Sequence, residues 1–392
     1  MGRKGALLLN NIFWIIGTAL MTGAKYVNAY PLLVIGRTII GIGCGIAGGV
    51  GPVYILEISP ILYRGTFGSL HQLIFCTSLL ISQILGLPYL LGTAERWPLI
   101  FGFAAFPIGL QLLLLPFCPE SPKYNLVIKR KLKKAEEDLM RLRQNDDVSA
   151  ELYLMSAEAE AAKKVPQVTI FQLFTHVYLK QTLLALLLMA ALQLSGINAI
   201  FFYSTAIFKG AGLTGLMPFY ATLGVSAANV IQTAISGKLV DHPKLGRRIL
   251  ELCGLGLMFF STLALVGAMS LSESTSEPLK KIGSYGSMAV IFLFVIGFAT
   301  GPGPIPWFFV SEIFPSHARG SASALASSFA WVTGFLVGIV FLPVNNIIGH
   351  YSFLIFSTML AIIIFLTYKY MPETKGKTVE EVEAELKGRK RG

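Results

Sequence analysis

Apolar stretches long enough to cross a lipid bilayer alternate with polar segments along this 392-residue chain. A membrane-spanning helix needs about 20 mostly apolar residues. By this measure we predict ten spans, over residues 6–25, 32–55, 67–91, 98–118, 180–208, 216–240, 249–271, 284–310, 321–342 and 349–371. The pattern therefore predicts an all-α membrane protein.

The longest polar segment, residues 119–178, separates the first four spans from the last six. Its charge-laced stretches 129–138 and 158–164 favour short surface helices, although a merely solvated linker fits the pattern equally well. The expected domains are an N-terminal helical bundle over 1–118, a cytoplasmic helical linker over 119–178, a C-terminal helical bundle over 179–371 and a cytoplasmic tail over 372–392.

Only 14% of the residues are charged and 54% are hydrophobic, whereas a soluble domain carries about 25% charged residues. The formal net charge is +11, and most Lys and Arg residues fall on one side of the membrane if residues 119–178 lie inside. This is the positive-inside pattern, so we expect cytoplasmic termini and no nucleic-acid partner. The four cysteines lack metal-ligand spacing. Nothing in the sequence indicates a metal, a cofactor or an enzyme, and the oligomeric state stays open.

Three short motifs occur twice in the chain, in the same order and at similar separations. The pairs are Gly2-Arg3-Lys4 with Gly246-Arg247-Arg248, Glu57 to Gly65 with Glu312 to Gly320, and Pro119-Glu120-Ser121 with Pro372-Glu373-Thr374. Such repeats in register predict two parallel halves. Two spans precede the second copy of the first motif and none precedes the first copy. By its own symmetry the chain is therefore predicted to lack two N-terminal helices.

Prolines interrupt the eighth predicted span. Each proline removes a backbone donor and clashes with the preceding turn, and a membrane segment interrupted in this way points to the binding site of a transporter. Trp307, just after the interruption, offers a flat face and one N–H donor to a sugar ring. The alternative is a kinked packing helix with an interfacial tryptophan. The predicted hinge consists of Gly301, Pro302, Gly303, Pro304 and Pro306.

Uncharged amides intrude into three other spans. They are Gln72, Gln193, Asn198 and Asn229. Each offers two donors and an acceptor, which suits sugar hydroxyls, while ordinary hydrogen bonds between helices fit equally well. Gly196 is expected to loosen the helix between two of these amides. No predicted span has an Asp or Glu at its centre, and His71 is interpreted as structural.

Charged residues cluster at the predicted cytoplasmic ends of the spans. The repeated motif places an acid at a span end and an arginine seven residues later, and an arginine inside a membrane needs a partner. We predict salt bridges that hold the cytoplasmic side shut in one state and part in the other; anchoring of the orientation is the alternative. The predicted gate residues are Arg37, Glu57, Arg64, Arg247, Arg248, Glu312 and Arg319.

Taken together, these motifs resemble those of the facilitative hexose transporters, in the sugar porter family of the major facilitator superfamily. The resemblance implies a two-bundle fold with ten of the usual twelve helices, and uniport of glucose and/or fructose by alternating access at the plasma membrane. It also implies that the gate residues above close the cytoplasmic side. The sugar site that it implies is lined by Gln72, Gln193, Asn198, Asn229, Trp307 and Trp331.

The chain departs from the family pattern at positions that would touch the sugar. Leu192 stands where the family often carries Gln, and Ala299 and Ala330 stand where glucose-preferring members carry Glu and Asn. These changes remove hydrogen-bonding groups and weaken the expectation of strict glucose selectivity, whereas Trp307 favours glucose.

Two other functions stay open at the level of the sequence. A chain without its first helices is also compatible with a non-transporting sugar sensor or a partner of a full-length transporter. A proton-coupled sugar symporter is the other alternative, because the usual acidic proton site of such symporters lies in the helices predicted to be missing.

Overall fold

The computed structural model describes residues 2–60, 63–163, 166, 168–210, 212–242 and 244–388. This part of the chain is helical, with short 3-10 turns between some helices. In order, the helices are α1 (Arg3–Gly23), α2 (Tyr30–Ile58), α3 (Arg64–Leu85), α4 (Trp97–Gly102), α5 (Ala105–Leu114), α6 (Pro122–Val127), α7 (Leu132–Arg143), α8 (Ser149–Lys163), α9 (Leu179–Leu194), α10 (Ile197–Gly210), α11 (Met217–Leu239), α12 (Arg247–Ser272), α13 (Glu277–Thr300), α14 (Ile305–Ile313), α15 (Ser316–Ile348), α16 (Phe353–Tyr370) and α17 (Val379–Gly388).

Every predicted span coincides with helix, but three spans are divided into two helices each: 98–118, 180–208 and 284–310. Among the described residues, eight helical stretches are long and apolar enough to cross a membrane. This number is below the predicted ten for two reasons. The stretch His317–Tyr370 unites α15 and α16, and α11 carries several buried polar residues that lower its hydropathy.

The chain divides into two compact units, the first formed by Met1–Arg64 and Ser82–Val168, the second by Gly65–Ile81 and Thr169–Gly392. In the first unit, α1 and α2 approach closely through glycine. A Cβ atom on Gly36 would lie 2.7 Å from Cγ of Met21 and 2.9 Å from the carbonyl oxygen of Gly17. Small residues at such a contact allow two helix backbones to pack tightly, as is common between membrane helices.

Helices α6, α7 and α8 of the first unit lie within residues 119–178. Leu126 and Ala135 form a small core against α8, and the Asn125 amide donates to Asp138 at 2.6 Å. Arg143 makes a two-pronged ion pair with Glu151, at 2.7 and 2.9 Å. These contacts join the three helices into one packed group.

In the second unit, α12 packs against α13 and α16, α9 against α15, and α11 against α13. The core is rich in buried aromatic and aliphatic side chains such as Phe294, Phe298 and Leu360. The outer faces also carry apolar side chains: Phe260, Phe335 and Phe365 are 69%, 65% and 61% exposed. Extended apolar surface on spanning helices is typical of lipid contact.

Candidate functional site

The proline-rich interruption lies inside the second unit and separates α13 from α14. Its backbone groups find partners in spite of the missing proline donors. The Gly303 N–H donates to the Phe298 carbonyl at 2.8 Å, and the Ser236 hydroxyl donates to the Thr300 carbonyl at 2.6 Å. Residues 301–306 are buried. The protein, rather than lipid, therefore surrounds the break, as irregular backbone at membrane depth requires.

Helix α12 supports this break by direct backbone contact. A Cβ atom on Gly254 would lie 2.5 Å from Cδ of Pro302, and one on Gly301 would lie 2.4 Å from the Leu250 carbonyl oxygen. Only glycine fits at these two positions without a shift of the neighbouring backbone. The two glycines thus allow the predicted hinge to pack in direct contact with α12, which is a continuous helix.

Trp307 stands in the first turn of α14 and contacts His71 of α3 in the same unit. The two ring centroids are 5.0 Å apart with the planes at 62°. The indole Nε1 of Trp307 is buried and has no hydrogen-bond partner among the described residues. His71, which the sequence suggested to be structural, is therefore a neighbour of the predicted sugar-stacking ring; its position beside Gln72 was the available signal.

Two of the predicted amides meet across the break between α9 and α10. Gly196 has a φ angle of +89°, which glycine adopts readily, so the prediction of a loosened helix here is confirmed. The Asn198 amide nitrogen donates to the Gln193 side-chain oxygen. Gln193 is buried and packs on Gly334 of α15.

The other two predicted amides meet on a cysteine. The Asn229 Nδ2 atom lies 3.1 Å and the Gln72 Nε2 atom 3.4 Å from the Sγ atom of Cys76. The Oδ1 atom of Asn229 has no partner among the described residues. Sulfur is a weak acceptor, so both amide N–H groups remain available to a stronger acceptor. Cys76 was missed at the sequence level because a lone cysteine in an apolar helix carries no pattern.

Trp331 lies on α15, one turn before Gly334, and is 40% exposed. In the described part of the chain, its ring makes no hydrogen bond or ring contact with the other predicted site residues. The structure therefore groups the predicted sugar residues into two amide pairs and one tryptophan–histidine contact, with Trp331 apart from them.

The charged residues of the first unit assemble around Glu57. Arg3 binds its carboxylate through two nitrogens, both at 2.9 Å, and the Ser121 hydroxyl donates to it at 2.5 Å. The carboxylate of Glu120 accepts the backbone N–H of Lys4 at 3.1 Å. Arg3, although absent from the predicted gate, is thus the principal partner of Glu57.

The second unit repeats this arrangement around Glu312. Arg247 lies 3.1 Å from its carboxylate, and the Thr374 hydroxyl donates to it at 2.5 Å. The carboxylate of Glu373 accepts the backbone N–H groups of Arg247 and Arg248, at 2.9 and 3.2 Å. The three repeated sequence motifs therefore meet in one cluster in each unit, which is the physical reason why they recur together.

Asp241 adds a second carboxylate to the Arg247 cluster, at 3.6 Å. Its other oxygen accepts the backbone N–H and the hydroxyl of Thr66, both at 2.7 Å. The side chain of Arg247 is only 8% exposed. Removing a partner from a buried ion pair costs about 3–5 kcal/mol because the other charge is left buried and unpaired, so we expect loss of one member of this cluster to destabilise the unit.

The other predicted gate residues have different surroundings. Arg37 lies over the ring of Phe101, 5.5 Å from its centroid. Arg248 donates to the Tyr368 carbonyl at 2.6 Å, and Arg319 donates to the Phe314 carbonyl at 3.3 Å. The side chain of Arg64 lies outside the described part of the chain.

The family model described as "Sugar (and other) transporter" matches residues 1–386. Among curated relatives, "Facilitated glucose transporter protein 1" of Caenorhabditis elegans is 52% identical over 390 residues, covering 100% of this chain and 76% of the relative. "Solute carrier family 2, facilitated glucose transporter member 2" of Mus musculus is 42% identical over 388 residues, covering 99% of this chain and 72% of the relative.

Two solved structures of the transporter XylE are similar in fold. A double tryptophan mutant of XylE matches with a TM-score of 0.83 at 24% identity, covering 98% of this chain and 84% of that chain. The second, the "MFS (major facilitator superfamily) proton:xylose symporter XylE bound to 6-bromo-6-deoxy-D-glucose", matches with a TM-score of 0.81 at 23% identity, covering 98% and 83%. At such identities the likeness shows the fold alone, and it confirms the predicted all-α fold of the major facilitator superfamily.

Proposed function

We propose that this chain, which belongs to the sugar (and other) transporter family, carries a hexose across the membrane by facilitated diffusion. Family membership and the glucose-transporting relatives support sugar transport across a membrane, and they make the chain a transporter rather than an enzyme. The choice of a hexose and the uniport mechanism are the proposed part.

One observation carries this proposal: buried polar groups around the break have unused hydrogen-bonding capacity. The Trp307 Nε1 atom and the Asn229 Oδ1 atom have no partner among the described residues, and two amides donate to a thiol. A buried polar group without a partner costs about 1–3 kcal/mol. A ligand with many hydroxyls would satisfy these groups, and a hexose is such a ligand.

In this proposal the sugar contacts the six predicted residues, and the cytoplasmic gate consists of the ion-pair clusters around Glu57 and Glu312. The interrupted segment 301–306 supplies the hinge for alternating access. Leu192, Ala299 and Ala330 offer no hydrogen bonds to sugar hydroxyls. We therefore propose that fructose is accepted beside glucose.

The orientation of the chain follows from its charge distribution. We propose a multi-pass plasma-membrane protein with both termini in the cytoplasm, in accord with the positive-inside pattern.

The family match begins at residue 1 and gives no support to the prediction that two helices are missing before Gly2. That prediction and the sensor, partner and symporter alternatives stay predictions.

The proposal is tested by uptake of labelled glucose and labelled fructose into liposomes that contain the purified protein. Trp307→Ala removes the ring and its N–H donor, so we expect uptake to fall at least roughly tenfold, the equivalent of about 1.4 kcal/mol. Trp97→Ala is the matched control, because that tryptophan lies in α4 of the first unit and outside the proposed site. Equal uptake by the Trp307 variant and the wild type would show that the site is wrongly placed.

A further inference from the structure

A carboxylic acid is buried in the first turns of α12, and the proposed function gives it no role. Glu251 is completely buried, and neither of its carboxyl oxygens has a hydrogen-bond partner among the described residues. Nearly all buried polar groups in native proteins are hydrogen-bonded. Two unpartnered oxygens on one buried side chain therefore indicate that the carboxyl group binds a proton or a cationic partner at this position.

Glu251 lies against the interrupted segment. A Cβ atom on Gly301 would be 2.7 Å from the Cα atom of Glu251, so the backbones of α12 and the hinge are in direct contact here. Protonation or ionisation of Glu251 therefore changes the surroundings of the hinge, the segment that must move in the proposed transport cycle.

Two cations lie about one helical turn before Glu251: Arg248, which donates to the Tyr368 carbonyl on α16, and Arg247. Residues four apart are neighbours on a helix surface, so the side chains of Arg247 and Glu251 are within reach of each other. In the structure, however, Arg247 binds Glu312 at 3.1 Å and Asp241 at 3.6 Å. Its Nε atom has no partner in the described part of the chain. Because Nη1 donates to the Val240 carbonyl at 3.0 Å and Nη2 faces Glu312 and Asp241, the Nε–H group is the donor that Arg247 has left for Glu251 among the described contacts.

Few other charged groups lie near this end of α12, and none in the described part of the chain is paired with Glu251. The final 17 residues of α13, from residue 284 to residue 300, contain no charged residue. At the opposite end of α12, the Nδ1 atom of His350 lies 3.0 Å from a carboxylate oxygen of Glu273. Among the described residues, the charged side chains around the near end include Asp241, Arg248, Glu312, Lys369, Glu373 and Lys375, the last of which donates to the Leu245 carbonyl just before α12.

An ionised carboxylate that is buried without a partner is strongly disfavoured, whereas the protonated acid avoids the desolvation of a charge. We propose that Glu251 is a proton-binding site, occupied while Arg247 is paired with Glu312 and vacated when Arg247 turns to Glu251 as the gate opens. This inference rests on the proposed function for its link to the gate.

The proton balance is simple. In the closed arrangement one proton is bonded to a carboxyl oxygen of Glu251. On opening, that proton passes to water on the cytoplasmic side, the carboxylate pairs with Arg247, and Arg247 stays a cation throughout. Because the proton leaves and returns on the same side, it drives no accumulation of sugar. It makes the rate of transport depend on cytoplasmic pH, with acid favouring the closed arrangement.

The proton site itself is tested by infrared spectroscopy of the purified protein, without any transport measurement. We expect a carbonyl-stretching band of a buried protonated carboxyl group at neutral pH, and we expect Glu251→Gln to abolish it. Glu277→Gln, which changes an exposed carboxylate at the start of α13, is the control and leaves the band in place. A band of equal intensity in the Glu251 variant would overturn the proposal, provided that thermal unfolding shows both variants folded.

The link to the gate is tested by equilibrium exchange of labelled glucose across liposomes at a series of pH values on the cytoplasmic side. We expect severalfold slower exchange on acidification for the wild type and the Glu277 variant, and no pH dependence for Glu251→Gln. The same pH dependence in all three proteins would overturn the link. If no protein transports a hexose at any pH, the proposed function fails, and the infrared band alone decides the proton site.

Discussion

At the scale of the residue, the local chemistry of Cys76 shows how the proposed sugar site can be polar and still adaptable. A thiol is a weaker acceptor than a hydroxyl or a carbonyl. The amides of Gln72 and Asn229 that donate to it are therefore held in place without being fully engaged. Such an arrangement suits residues that must release one partner to bind another.

The substitution Cys76→Ser tests this role. The hydroxyl would hold the two amides more firmly by about 1 kcal/mol, so we expect the KM for sugar uptake to rise about fivefold. Cys76→Ala should not raise it, because the competing acceptor is removed. Cys253→Ser, at an exposed cysteine of α12, is the matched control. An unchanged KM in the Cys76→Ser protein would show that the thiol has no such role.

At the scale of the element, glycine positions determine how closely α12 can approach the break between α13 and α14. Two glycines of α12 differ sharply although they are only two residues apart. A Cβ atom on Gly254 would lie 2.5 Å from Cδ of Pro302 and 2.6 Å from the Gly297 carbonyl oxygen, whereas a Cβ atom on Gly256 meets nothing within 4 Å. The helix therefore has one face that requires glycine and one that does not.

This contrast provides a matched pair of substitutions. Gly254→Ala should destabilise the protein by about 1–3 kcal/mol, because the extra methyl group overpacks the contact. Gly256→Ala should stabilise it by about 0.5–1 kcal/mol, since alanine is the better helix former. Thermal unfolding in detergent measures both effects. Equal shifts in Tm for the two variants would contradict the close packing at Gly254.

At the scale of the whole molecule, each unit holds one cluster built from the same three repeated motifs. In the first unit the acid is Glu57 and its cation Arg3; in the second they are Glu312 and Arg247. The duplication fits a transporter in which two halves of common design carry out one cycle.

No metal-binding group of three or more His, Cys, Asp or Glu residues occurs among the described residues.

The proposed uniport mechanism makes a prediction for the purified protein. In liposomes that contain the purified protein, labelled glucose should rise to the external concentration and no further, and an imposed proton gradient should not change this end point. A proton-coupled symporter would accumulate the sugar above the external level instead. Liposomes without protein and liposomes with the Trp307→Ala variant provide the background.

The positions of the membrane helices could be predicted from the sequence, because a run of apolar residues is a local feature and the bilayer thickness sets the length that it needs. The proline-rich pattern also predicted the break, now seen at residues 301–304, since a proline disrupts the helix in which it stands. The repeated motifs predicted the internal duplication. The loosened helix at Gly196 followed from a single residue type with unusual backbone freedom.

Which side chains meet could not be predicted from the sequence and became clear from the packing of the helices. Arg3 with Glu57, His71 with Trp307, and two amides on Cys76 are contacts between residues far apart in the sequence. In the sequence, Glu251 is an ordinary acidic residue near the start of a predicted span. The packing of α12 shows that it is completely buried. Burial and pairing depend on how closely helices approach and how they are rotated, and no local pattern specifies that geometry.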